Sequence, residues 1–244
     1  MTHQNFFEKY NTFFAIIIGA ILIGGAIILT KNTNPKNPAP VPSQAQKPTT
    51  VDEKITKQFI AEDRIVMGNP KSNNIVIEVS DPSCPFCHFA SGLNPELVKQ
   101  SGRTNYLTAA QGGTYNAPGI AFEKLAESGD IAYVYSYGNG HGNGALAAEA
   151  LYCAYERGGF WGAHDKLMTS AGYSLVNDTV KNDRTKSAEL AKFLSAVIDE
   201  TFMTECLSSA KYESRISRDI AENAKIGFSG TPHFVINGNI VQGA

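Results

Sequence analysis

The stretch "NIVIEVSDPSCPFC" (Asn74–Cys87) constrains this chain most, because it joins three local requirements within fourteen residues. "IVIEV" is a short apolar, β-branched run bounded by polar residues, the pattern of a buried strand. "DPSC" then offers helix-capping residues, followed by a proline tolerated in the first turn of a helix, whose amide hydrogens lack helical partners. Cys84 and Cys87 fall at that strand-to-helix junction, three residues apart and so on one helix face. If Asp81 or Ser83 caps the helix, Cys84 sits at its positive end, where a thiolate is favoured over a thiol. The thiolate is both the attacking species and the better leaving group in disulfide exchange. Cys87, further in and more covered, is suited to resolve a mixed disulfide.

Other readings of the pair are weaker. Structural zinc takes a second close pair of Cys or His, but Cys153 and Cys206 are distant singles, and His88 and His233 lack ligand spacing. Four cysteines in 244 residues are too few for a fold built on disulfides. A net charge of -2 without a local Lys/Arg cluster gives no case for nucleic acid as a partner.

The N-terminus is organised differently from the rest. After a short tail (1–12), "FFAIIIGAILIGGAIIL" (Phe13–Leu29) is 17 uncharged residues long. It would span about 26 Å as a helix, just enough for the hydrocarbon core of a bilayer. A transmembrane anchor over 13–30 is therefore expected. A cleaved secretory signal is the alternative, though no small-x-small site follows at the right distance. Small residues four apart, Ala15/Gly19 and Ala20/Gly24, have the spacing of helix–helix contacts in membranes, a pattern also common by chance. Lys9 before the run and Lys31, Lys36 and Lys47 after it lean weakly toward a cytoplasmic body, but large domains translocate largely regardless of charge. Residues 31–50, rich in proline and polar side chains, read as a solvated tether, which places the globular part at 51–244.

Within that part a short helix is expected around Ile55–Ile60, and a short strand ending in a turn at "RIVMGNP". The strand "NIVIEVS" follows, with a helix from "DPSC" to about Lys99. Gln100–Gly119 reads as an irregular insertion, "IAYVYSY" as a second long strand, and about 142–225 as a helical block broken at Gly158–Gly159, Gly172 and Asp178–Asp183. In "SAELAKFLSAVI" the residues Leu190, Phe193, Leu194, Val197 and Ile198 share one face. "HFVINGNIV" is a hairpin around Asn-Gly. This order implies an α/β fold, a small mixed sheet with an inserted helical domain.

Three blocks, "GNPKSNNIVIEVSDPSCPFC", "ALAAEALYCAYERGGFWGAHDKLM" and "GFSGTPHFVINGNIVQGA", together resemble the thioredoxin superfamily, and more closely its DsbA-like thiol–disulfide oxidoreductases. The resemblance covers roughly residues 64–244 and implies a thioredoxin-like fold with a helical insertion. It implies that Thr231–Pro232 is a cis-proline loop facing the cysteines, where backbone groups pair with an extended substrate. It makes Glu78 a buried acid able to relay the proton of Cys87; a solvent-facing side chain on a half-exposed strand is the alternative. It implies a second, structural disulfide between Cys153 and Cys206, against the alternative of buried unpaired thiols. With an oxidising compartment and the exported habit of the family, the body is expected outside the cytoplasmic membrane. The partners implied are cysteine-containing exported polypeptides and a membrane reoxidase, DsbB-like or vitamin K epoxide reductase-like, with no cofactor.

His88 is expected on an exposed helix face, with stabilisation of the Cys84 thiolate as the alternative. "YGNGHGNG" around His141 reads as a flexible loop without chemistry. DsbA-like proteins follow the hairpin with a helix covering one sheet face. Here the sequence runs to "VQGA", so either it is truncated or that face is covered otherwise. Rival functions are a disulfide reductase or isomerase, a tethered binding module with a static Cys84–Cys87 bridge, and a metal-binding accessory protein.

Overall fold

A five-stranded sheet forms the centre of the domain in a computed structural model that describes residues 49–61 and 63–244. Its strands are β1 (Ile65–Gly68), β2 (Ile75–Ser80), β3 (Ala132–Tyr137), β4 (His233–Ile236) and β5 (Asn239–Gln242). The spatial order is β1-β3-β2-β4-β5, with β2 and β3 parallel and every other pair antiparallel. A parallel pair needs a crossover. Here it consists of α2 (Pro85–Ser91), α3 (Pro95–Gln100), two 3₁₀ turns and α4 (Pro118–Glu127). The expected anchor and most of the expected tether lie outside the described residues. Among the described residues no helix is long and apolar enough to cross a membrane.

β2 and β3 are buried along their whole lengths, which explains their near-continuous apolar and aromatic sequences. Alternation then sorts their side chains onto two faces. Val76, Tyr133, Tyr135 and Tyr137 join the core shared with the helical insertion, while Ile75, Ile77, Val79, Ala132 and Val134 face the other way. That second face is covered by Phe59 and Ile226, with Val51, Ile55, Ile60 and Phe228 at its margin. The helix α1 (Glu53–Gln58) and the segment around Ile226 thus cover that face.

The insertion between β3 and β4 holds α5 (Ala145–Tyr155), α6 (Phe160–Leu167), α7 (Ser170–Ser174) with a π-helical turn at Leu175–Val180, α8 (Ser187–Leu194), α9 (Glu200–Ser208) and α10 (Glu213–Asn223). On α8 and just beyond it, Leu190, Leu194 and Ile198 are buried and Phe193 and Val197 pack at the margin, the face read from the sequence. Cys153 on α5 and Cys206 on α9 are joined by a disulfide closing a 53-residue separation. In the chain-entropy picture a loop of that size contributes about 4 kcal/mol.

Several expectations are corrected. The helix starting at "DPSC" does not run to Lys99. It stops at Gly92, and a new helix opens at Pro95, capped by the Asn94 side chain accepting from Leu97 N at 3.0 Å. The residue before a proline resists helical geometry, so Asn94-Pro95 marks the break. Gln100–Gly119 is ordered by contacts. Tyr106 stacks on Phe89 at 5.1 Å between ring centres, and Gln111 donates to the Gly92 carbonyl at 2.7 Å. The helix α4 was not foreseen, because glycines and asparagines upstream hid its proline start. Gly172 does not break a helix; it lies buried inside α7. The tether ends earlier than expected, since Thr50 bridges to Asn239 and Ile240 N donates to Thr49 O at 2.9 Å. The hairpin is as expected, with Asn237 and Gly238 both at positive φ between β4 and β5.

Candidate active site

The two cysteines, the Thr231–Pro232 loop and the glycine-rich segment after β3 meet at the end of β2. Cys84 is itself the N-cap of α2, with Pro85 in the first turn. Neither Asp81 nor Ser83 caps the helix, contrary to expectation. Cys84 and Cys87 are free thiols, both buried, with Met168 of the insertion packed against them. The Thr231–Pro232 peptide is cis, and Cys84 Sγ lies 3.5 Å from the Thr231 carbonyl oxygen, to which it donates as a thiol.

The environments of the two sulfurs differ in sign. The Cys84 pKa is lowered to about 6. The Cys87 thiol contributes most, and the Thr231 side chain and the backbone N–H groups of Cys87 and Phe86 add to it against the cost of burial. Both amides belong to the first turn of α2, whose N–H groups point toward the sulfur at its cap. Cys87 is pushed well above the ordinary thiol range, first by burial and then by its bond to Cys84. Its sulfur accepts from Asp81 N at 3.4 Å. The pair is thus one ionised sulfur and one protonated sulfur in contact, the distribution that thiol–disulfide exchange requires.

Glu78 is buried on β2, on the face toward the insertion, and accepts from Tyr133 Oη at 2.9 Å. Burial raises its pKa, opposed by His164, by the hydrogen bond from Tyr133 and by the nearby Ser80 hydroxyl. His88 is not exposed. It is fully buried, with Nδ1 3.0 Å from the Met168 carbonyl oxygen and Nε2 2.9 Å from that of Pro82. Burial lowers its pKa to about 4, so it is neutral at neutral pH and ties the insertion to the turn before Cys84.

Sequence reasoning missed the part played by Asp81. One carboxylate oxygen accepts from Ser83 N and Ser83 Oγ, at 2.8 and 2.6 Å. The other accepts from the backbone N–H groups of Gly140 and His141, at 3.0 and 2.8 Å. The "YGNGHGNG" segment is therefore pinned rather than loose. Asn143 N donates to Ser83 Oγ at 3.2 Å, and the Asn182 side chain donates to Gly142 O at 2.8 Å. Gly140 passes so close to the Thr231–Pro232 loop that a Cβ there would lie 1.7 Å from Thr231 Oγ1. Arg103, just after α3, lies 5.0 Å over the ring of Phe86, the residue before Cys87. Among the described residues no group of three or more His, Cys, Asp or Glu side chains is placed to hold a metal ion.

A five-stranded mixed sheet with a Cys-x-x-Cys pair opening a helix beside a cis-proline loop defines a protein of thioredoxin-like fold. The family model described as "Thioredoxin" matches residues 119–244, just over half of the sequence, and the chain belongs to that family. Over 66 residues, 26% of this chain and 23% of the other, it is 41% identical to a "Putative protein-disulfide oxidoreductase" of Rickettsia felis. Over 177 residues, 71% of this chain, it is 24% identical to part of "Na(+)/H(+) antiporter NhaA 3" of Salinispora tropica, of which 21% is covered. The chain thus spans about a fifth of the length of each of these relatives. In structure it is similar to the DsbA of Chlamydia trachomatis, with a TM-score of 0.51 and 16% identity over 84% of this chain and 90% of that one.

Proposed function

We propose that this protein is a DsbA-like thiol–disulfide oxidoreductase that introduces disulfides into exported polypeptides, held at the outer side of the cytoplasmic membrane by residues 13–30. The observation that carries the reading is the division of labour between Cys84, ionised near pH 6, and Cys87, buried and protonated. In the oxidising direction the pair starts as a disulfide. A substrate thiolate attacks Cys84 Sγ, the Cys84–Cys87 bond breaks, and Cys87 leaves and takes up a proton. A second substrate thiolate then attacks the substrate sulfur of the mixed disulfide, and Cys84 leaves as a stabilised thiolate. Two electrons pass from the substrate dithiol to the cysteine pair.

Stabilising the Cys84 thiolate stabilises the reduced pair, which makes its disulfide the stronger oxidant. The cis Thr231–Pro232 bond beside Cys84 supports a role for this backbone in pairing with an extended substrate segment. The Cys153–Cys206 bond supports an oxidising compartment. A membrane reoxidase, DsbB-like or vitamin K epoxide reductase-like, would accept the electrons from the dithiol. Redox titration against glutathione tests the reading, with Cys84→Ser as control. The account expects a potential of about -180 to -120 mV, and a value below about -300 mV would instead make Cys84–Cys87 a static structural bond.

A further inference from the structure

The oxidoreductase reading leaves one proton without a route. Cys87 must lose its proton each time it closes the disulfide, yet it is 1% exposed and so cut off from solvent. The side chains around it are known. Glu78 and Ser80, two residues apart, point to the same side of β2. In the parallel register they lie beside Tyr135 and Tyr137 of β3. The next residue, Asp81, donates its backbone N–H to Cys87 Sγ at 3.4 Å, which puts the sulfur at the Ser80 end of this row. At the other end Glu78 is held by Tyr133. Ser80 Oγ shares this side of the strand, acts on both Glu78 and Cys87, and is fully buried with no formed hydrogen bond among the described residues. Burying a hydroxyl unpaired costs about 1–3 kcal/mol, so the position is not explained by stability.

We infer that the Ser80 hydroxyl is the proton relay between Cys87 and Glu78. When Cys84 carries a mixed disulfide, Cys87 passes its thiol proton to Ser80 Oγ as the Ser80 hydroxyl proton passes to the Glu78 carboxylate. The Cys87 thiolate attacks Cys84 Sγ, the Cys84–Cys87 bond forms and the departing thiolate carries away the electron pair. Glu78 ends protonated, and the reverse shift returns the proton to Cys87 on reduction. Ser80 stabilises the charged forms of both Glu78 and Cys87, as a shared donor would. The other titratable groups facing this row are Tyr133, Tyr135 and Tyr137 from β3, His164 from α6, and Asp81 and Cys84 from the turn. The tyrosines are raised by burial and stay protonated, so none of them is a competing base.

The inference rests on the oxidoreductase reading, and one stopped-flow experiment separates the two. The reduced full chain is mixed with 5,5′-dithiobis(2-nitrobenzoate). The first thionitrobenzoate released reports attack by Cys84, and the second reports attack by Cys87 on the mixed disulfide. Ser80→Ala is expected to leave the first phase unchanged and to slow the second on the order of 10²-fold, the scale of general-base catalysis. Ser80→Thr, which keeps a hydroxyl, restores most of that rate. Glu78→Gln slows the same phase, and adding Ser80→Ala to it slows it little further, because both act on one path. An unchanged first phase shows that each variant is folded. A second phase slowed less than threefold in Ser80→Ala, equal slowing of both phases, or multiplicative slowing in the double variant would each overturn the relay. A wild-type protein that never releases the second equivalent would instead overturn the oxidoreductase reading itself.

Discussion

Replacing Cys84 by serine is expected to lower thiol–disulfide exchange by about 10³-fold or more, because the group that attacks and is attacked is then missing. Cys87→Ala should behave differently. Cys84 still attacks the disulfide of an oxidised substrate, but Cys87 is no longer there to resolve the mixed disulfide, so covalent one-to-one adducts with a disulfide-bonded substrate accumulate on non-reducing gels. The contrast follows from the geometry. Cys84 is the helix cap beside the Thr231 carbonyl, while Cys87 lies below it under Asp81 N and Met168. Equal loss of turnover in the two variants without trapped adduct, or turnover surviving in Cys84→Ser, would remove the assigned roles.

The second large effect is on stability and lies away from the cysteines. Asp219 on α10 is fully buried and accepts from five groups on four parts of the chain. These are Arg64 before β1 (3.3 Å), Tyr137 N at the end of β3 (3.2 Å), Tyr152 Oη on α5 (2.8 Å), and Arg215 Nε and Nη2 on its own helix (3.1 and 2.9 Å). Arg64 and Arg215 are themselves buried, at 3% and 4% exposure. Glu222 on α10 also pairs with both arginines, but it is partly exposed. Asp219→Ala would leave two buried guanidinium groups short of a partner and orphan a backbone N–H, and breaking such a network costs about 3–5 kcal/mol. Urea denaturation of the reduced and oxidised proteins should show that loss with an unchanged m-value. A loss below about 1 kcal/mol would mean that the cluster is solvated and contributes little.

What was legible in the sequence was local. The strand "NIVIEVS", the cysteine pair and the Asn-Gly hairpin each carry their signal within a few residues, and each is in place. Boundaries were harder. The break at Asn94-Pro95 was overridden by the apolar periodicity on either side, and α4 was lost behind the glycine-rich run before it. His88 was misplaced because a polar residue after a cysteine pair looks solvent-facing. Its burial depends on carbonyl groups at Pro82 and Met168, the latter 80 residues away. Asp81 looked like a helix cap because its contacts to Gly140 and His141 lie about 60 residues downstream. Asp219 gave no signal, since its partners span 155 residues. Pairings between distant side chains are set by topology, and no local pattern encodes them.

These long-range contacts also explain how a helix of only seven residues holds a reactive sulfur. Asp81 fixes the Ser83 turn before Cys84 and the strap across from it, and His88 holds the turn to the insertion. Thr231 closes the remaining side. The donors that lower the Cys84 pKa are thus set in place before any substrate arrives.

The rate of iodoacetamide alkylation of reduced protein against pH, followed at Cys84 in a Cys87→Ala background and in the native pair, tests this most directly. For the native pair the thiolate fraction should rise with a midpoint of about 6. Removing Cys87, the largest contributor to the lowered pKa, should move that midpoint upward. A native midpoint near 8.5, the value of an unperturbed thiol, would contradict the account.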